Sequence, residues 1–263
     1  MYVISIALVC FAALLVLLTV YWTTLTSMYQ EKVRTNELYW LQTGDLWRLR
    51  MCRYRIGRTR GEPVLLVHGF NANQHNFTAP EEHSMVDYLK GKGFDCWTID
   101  LRGTRSSIPP FEHTRYDATM DDYLLRDLPA AIEFIRKNTG YEKVHWVGHS
   151  MGGTLLYAYV QEFGTRHIAS GTTLGAPVGF EDTRFHVPQT TVRLACWFPR
   201  AAAVIMRGAI PILMFFRTPA RLFPVNLNNL PENMHSGHFF TMVDDPAPRV
   251  LRPARAGTPS RGP

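Results

Sequence analysis

Residues 144–163 read VHWVGHSMGGTLLYAYVQEF. Val144 to Val147 is a short apolar run of strand length. Thr154 to Phe163 is compatible with a helix. Between them stands Gly148-His149-Ser150-Met151-Gly152, followed by Gly153. A G-x-S-x-G pentad placed between strand and helix is the setting of a nucleophile elbow. The turn holds the serine in a strained conformation, and glycines on both sides let strand and helix pack closely. The helix that starts there points its positive end at developing negative charge. Ser150 is therefore the candidate nucleophile.

Upstream, Pro63-Val64-Leu65-Leu66-Val67 is a second apolar run between Gly61 and Gly69, and it leads into His68-Gly69-Phe70-Asn71. A loop at that strand end can offer the Phe70 backbone N–H to an oxyanion, complementing the N–H of Met151. Further strand-like runs are Phe94 to Leu101, Val144 to Val147 and a weaker Ile168 to Ala176. Helical patterns lie between them, around Glu82 to Lys90 and from Asp121 to Asn138, the latter closed by Gly140 as a C-terminal cap. Leu38 to Leu41 and Leu46 to Ile56 flank Thr43-Gly44-Asp45 as a hairpin, with a bulge expected between Met51 and Cys52. Strands alternating with helices predict βαβ units and a mostly parallel sheet with flanking helices.

The stretches VLLVHGFNANQHNF (64–77), DLRGTRSS (100–107) and DLPAAIEFIRKNTGYEKVHWVGHSMGGTLLYAYV (127–160) resemble the α/β-hydrolase superfamily. They are most similar to its acid-lipase branch, that of gastric and lysosomal lipases. The resemblance covers Glu62 to about Val178. It implies an eight-stranded sheet, a serine nucleophile, ester or lipid substrates, and a lid inserted after the sixth strand. By the same resemblance His68 supports the oxyanion loop and is not the triad histidine. Asp127 and Pro129 match a structural D-L-P at a helix start, so Asp127 carries no catalytic role.

A serine hydrolase also needs a base and an acid to orient it. In this fold the chain order is serine, acid, histidine. Six strands can be counted, and after Ser150 the histidines are His167, His186, His235 and His238. His167 precedes the sixth strand and His186 follows it closely, so neither takes the expected place. Asp182 with His235 or His238 preserves the chain order as a substitute pair, and the triad acid and base stay unassigned here. His235-x-x-His238 lacks a third ligand nearby, so no metal is expected.

The chain falls into four expected parts: an N-terminal anchor (1–30), the hydrolase core (31–182), a lid-like segment (183–245) and a tail (246–263). No charged side chain occurs before Glu31, and Val3 to Trp22 is long enough to cross a hydrocarbon core of about 30 Å. Tyr21 and Trp22 suit the membrane interface. A cleaved signal peptide would carry a basic start and a small-residue cleavage site, which this stretch lacks. Lys32 and Arg34 follow the span, so the domain beyond it is expected on the cytoplasmic side of a single-pass protein.

Thr183 to Pro231 holds six arginines and no Asp, Glu or Lys, interleaved with apolar runs such as Ala201 to Phe216. A lipid-contacting lid, ordinary buried helices and a re-entrant membrane segment all fit that composition. Pro246 to Pro263 has five prolines and four arginines, and is read as a solvated tail or as the product of truncation or a reading-frame change. Those four arginines supply most of the formal charge of +6. Arg48, Arg50, Arg53 and Arg55 are expected on a solvated strand face, with no nucleic-acid partner.

At 263 residues and 46% hydrophobic, the chain is neither disordered nor fibrous. Cys10, Cys52, Cys96 and Cys196 build no disulfide framework, and no G-x-G-x-x-G or P-loop suggests a nucleotide cofactor. The function expected is hydrolysis of carboxylic esters or lipids through an acyl-serine. Two alternatives stay open: a catalytically incompetent, membrane-anchored protein that binds lipid or a partner, and an acyltransferase.

Overall fold

The computed structural model describes residues 2–28, 33–57, 61–79, 84–178, 189–215, 241–244 and 248–251. The elements run α1 (Tyr2–Met28), β1 (Glu37–Gln42), β2 (Arg48–Tyr54), β3 (Pro63–Val67), α2 (His75–Thr78), α3 (Met85–Gly91), β4 (Asp95–Asp100), α4 (Met120–Asp122), α5 (Leu128–Thr139), β5 (Val144–His149), α6 (Met151–Phe163), β6 (Ile168–Leu174), α7 (Gln189–Trp197) and α8 (Pro199–Phe215). The chain divides into two units, residues 1–34 with 204–241 and residues 35–203 with 242–263.

Among the described residues of the larger unit, six strands form one sheet in the order β1-β2-β4-β3-β5-β6. The pairs β1–β2 and β2–β4 are antiparallel, and β4–β3, β3–β5 and β5–β6 are parallel. The continuous apolar run of β3 reflects its place between two strands, with every residue buried. Helix α5 buries Leu128, Ala131, Ile132 and Ile135, the one-face spacing of an amphipathic helix. Gly140 ends it in the left-handed conformation, φ 79°, as the sequence predicts.

The hairpin at the start of the sheet departs from expectation in two ways. The β1–β2 register runs without a break from Glu37↔Arg53 to Gln42↔Arg48, so there is no bulge between Met51 and Cys52. Nor are all four arginines solvated: Arg50 and Arg53 are buried. The reason is charge pairing across β2–β4. Arg50 Nε donates to Asp100 at 2.6 Å, and Arg53 grips Asp95 through Nε (2.9 Å) and Nη2 (2.6 Å). Arg53 also stacks over the Trp97 ring at 4.7 Å. With both faces of β2 covered, polar and apolar residues cannot alternate there as they do on a half-exposed strand.

The approach to α5 also differs in detail. A π turn, Tyr123–Asp127, joins α4 to α5, and the Asp127 side chain caps nothing. Fully buried, it accepts from Arg102 Nε (2.8 Å) and from the Arg102 backbone N–H (3.0 Å). The structural role expected for Asp127 stands, through Arg102 rather than through a cap. Part of the tail is also ordered into the core unit: Pro248–Leu251 is a 3-10 turn, Val250 is buried in the core and Arg249 pairs with Asp117 at 3.0 Å.

In the smaller unit, α1 carries an apolar stretch, Ile4–Met28, of mean hydropathy 2.7. Near its C-terminal end Tyr21 donates its hydroxyl to Gly208 O at 2.7 Å, and the Arg207 guanidinium lies 5.7 Å from the Trp22 ring centre. Among the described residues α1 is the one helix long and apolar enough to cross a membrane.

Candidate active site

The site forms where β5 turns into α6. Ser150 has φ 50° and ψ −116°, a backbone conformation that L-residues with side chains rarely adopt. Such strain persists only where the surroundings fix it, and here they do. The Ser150 N–H donates to Leu174 O at 2.8 Å, tying the turn to the end of β6. Its carbonyl accepts from Gly153 N–H (2.9 Å) and Thr154 N–H (3.1 Å), the first bonds of α6. The glycines are there for space: a β-carbon on Gly148 would lie 2.3 Å from Gly152 O. This is the geometry of a nucleophile elbow, and Met151, the first residue of α6, has an N–H with no partner one turn back in the helix.

The loop after β3 lies against the elbow. A β-carbon on Gly69 would sit 3.0 Å from His149 Nδ1 and 3.2 Å from Ser150 Cβ, so the His68-Gly69-Phe70 backbone passes directly beside the serine. The structure thus brings together Ser150 and Met151 with the loop that carries Phe70. His68, buried, accepts the Leu101 N–H on Nε2 (3.2 Å), which leaves Nδ1 protonated to donate to Gly69 O (2.8 Å). Burial holds its pKa below the ordinary imidazole value. A neutral, doubly engaged imidazole is a brace between the ends of β3 and β4, as expected of His68.

Two residues that the sequence reading passed over also fix this loop. Asn76 Oδ1 accepts Gly69 N–H at 3.4 Å and His149 Nδ1–H at 3.2 Å, linking the loop to the residue before Ser150. Asp100, at the end of β4, accepts Gln74 N–H at 2.8 Å while paired with Arg50. An acid ending a buried strand, opposite an arginine on a neighbouring one, was the available signal for the second. Asn76 carried none.

Among the described residues no histidine hydrogen-bonds the Ser150 hydroxyl. His75 pairs with Thr78, His145 with Ser170 and His167 with Glu142 O. Asp182, His186, His235 and His238 lie outside the described residues. No group of three or more His, Cys, Asp or Glu able to hold a metal ion occurs among the described residues.

Residues 62–249 match the family described as alpha/beta hydrolase fold. Gastric triacylglycerol lipase of Mus musculus is 32% identical over 132 residues, 46% of this chain and 33% of that one. Triacylglycerol lipase 2 of Arabidopsis thaliana is 29% identical over 152 residues, 52% of this chain and 36% of that one. Lysosomal acid lipase/cholesteryl ester hydrolase of Homo sapiens is 30% identical over 132 residues, again 46% of this chain and 33% of that one. The aligned stretches span about a third of the length of these relatives. Among solved structures, a carboxylesterase from the thaumarchaeon Nitrososphaera gargenis superposes with a TM-score of 0.49 at 16% identity, covering 78% of this chain and 66% of that one.

Proposed function

The chain belongs to the α/β-hydrolase fold family and resembles its acid-lipase branch, and from that premise we propose that it hydrolyses carboxylic esters of lipid type, with Ser150 as nucleophile. The observation that carries this reading is the strained Ser150 backbone, φ 50°, at a strand-to-helix turn with Gly69 packed against it.

In this mechanism Ser150 Oγ attacks the ester carbonyl carbon as its proton passes to a base. The carbonyl oxygen becomes an oxyanion, stabilised by the N–H groups of Phe70 and Met151 and by the positive end of α6. Collapse of that intermediate expels the alcohol, which takes up the proton, and leaves an acyl-serine. Water then adds to the acyl carbon and releases the acid and free serine. Chain order leaves Asp182 with His235 or His238 as the acid–base pair to test.

The apolar α1, followed by Lys32 and Arg34, supports a single membrane span with the hydrolase domain on the cytoplasmic side. A lipid ester would then be drawn from the bilayer itself.

The test is hydrolysis of p-nitrophenyl esters of short and long acyl chains by the intact protein. Ser150→Ala is expected to lower kcat by about 10³-fold or more. An unchanged rate in that variant would overturn the assignment. Folded wild-type protein that hydrolyses no ester would favour a binding role, and a new ester formed on adding an acceptor alcohol would favour acyl transfer.

A further inference from the structure

Residues 241–244, at the end of the lid-like segment, return to the mouth of the site. Val243 pairs with Ala72 in an antiparallel bridge, and the Asp244 N–H donates to Asn71 O at 2.7 Å. The Asp244 carboxylate is 1% exposed and fully engaged. Its Oδ2 accepts from Asn73 Nδ2 at 3.0 Å, and its Oδ1 accepts the Arg105 backbone N–H at 2.8 Å, with Arg105 Nε 3.4 Å away. One buried anion therefore joins the loop after β3 to the loop after β4, from a point 171 residues beyond Asn73.

The contacts fall on the residues that directly follow Phe70 in the loop. Asn71, next in the chain, holds φ 52°, a conformation that costs free energy in a residue with a side chain. Asn73 passes the constraint on by accepting His75 N–H on Oδ1 at 3.0 Å. Asn76 fixes the near end of the loop at Gly69, and Asp244 fixes the far end. Hydrogen bonds to a buried carboxylate are roughly twice as strong as neutral ones, and a pre-set oxyanion donor stabilises the transition state without reorganising.

The geometry points to Asp244 as a positioning residue that locks the oxyanion loop. Among the described residues it bonds Asn73 and Arg105 and not Ser150, and it acts on the reaction through Asn71 and Asn73. This role rests on the serine-hydrolase reading above. It also makes the end of the lid-like segment a structural part of the oxyanion site.

Asp244→Asn tests it, because the new amide offers one acceptor where two donors converge. Hydrogen exchange of the amides of residues 69–76 is expected to rise at least 10-fold, with β3 and β5 unchanged. The kcat for a p-nitrophenyl ester is expected to fall about 10- to 100-fold with KM within twofold, because the loss is confined to the transition state. Asn73→Ala, which removes the donor to Asp244 and the acceptor of the His75 N–H, should show the same pattern at about 3- to 10-fold. If either variant folds with exchange of 69–76 unchanged, or with raised exchange and unaltered kcat, the role is refuted. Should Asp244→Asn not fold, Asn73→Ala alone decides. Should the wild type hydrolyse nothing, the hydrolase reading fails on that arm and the lock is judged by exchange alone.

Discussion

The backbone of Gly152 meets the carbonyl of Val67 at a separation that leaves room only for hydrogen: a β-carbon on Gly152 would lie 2.1 Å from the Val67 oxygen. The first turn of α6 and the end of β3 are thus packed backbone to backbone. That contact holds the turn at Ser150 and the loop after β3 in one fixed relation. Gly152→Ala is expected to destabilise the fold by about 3 kcal/mol or more, because the obstructing atoms are main chain and cannot rotate away. Thermal unfolding measures this, and a melting temperature equal to wild type would contradict the packing described.

Arg102 should matter for folding and not for chemistry. It is 2% exposed and reaches Asp127, itself fully buried, as well as Asp45 at 2.7 Å. Arg102→Met would keep the backbone N–H bond but leave the buried Asp127 carboxylate without the guanidinium that neutralises it, a loss of about 3–5 kcal/mol. The check is chemical denaturation of the variant beside the wild type, where coincident midpoints would refute the pairing.

Acid stability follows from three exposed-to-half-buried carboxylates. Burial would raise the pKa of Asp45, but hydrogen bonds from Arg102, Thr43 and Arg126 outweigh it and hold the carboxyl below its ordinary value. Glu37 is lowered chiefly by the Tyr39 hydroxyl, and Asp117, despite burial, by Thr114 and Arg249. Each binds fewer protons folded than unfolded near its ordinary pKa, so each contributes stability above about pH 4.5 that is lost as pH falls further. Asp127 has the opposite sense: burial pushes it up to about 6, so it costs stability above that pH, and the cost fades as pH falls from about 6 to about 4, partly offsetting the loss. Melting temperatures are expected to fall steeply from pH 5 to 3, and less steeply in Asp45→Asn. Parallel slopes for the two proteins would refute this account of Asp45.

The sheet and the elbow were legible because their signals are local. An apolar run of strand length, a G-x-S-x-G and the helix after it lie within 20 residues, 144–163, and the HG loop is read from its own strand. What escaped depends on partners far along the chain. Arg50 and Arg53 looked solvated until β4 brought Asp100 and Asp95 within reach of them. The turn before β2 was read correctly, yet its left-handed residue is Leu46, φ 68°, and not Gly44. Asp244 gave no sign of its role, since Asn71, Asn73 and Arg105 belong to distant loops.

The apolar α1 gives a prediction about compartment. Intact protein expressed in cells should stay in the membrane pellet through alkaline carbonate washing, and a variant lacking residues 1–30 should not. Release of the intact protein into the wash would contradict a membrane span.

If Ser150 is a nucleophile beside a preformed oxyanion site, a fluorophosphonate will label it covalently. Such a probe reacts with an activated serine and leaves a stable adduct that mimics the tetrahedral intermediate. Intact mass and peptide mapping of the labelled protein should show one adduct, on Ser150, absent from Ser150→Ala. Folded wild-type protein that takes up no label, or takes it up equally in Ser150→Ala, would contradict the account.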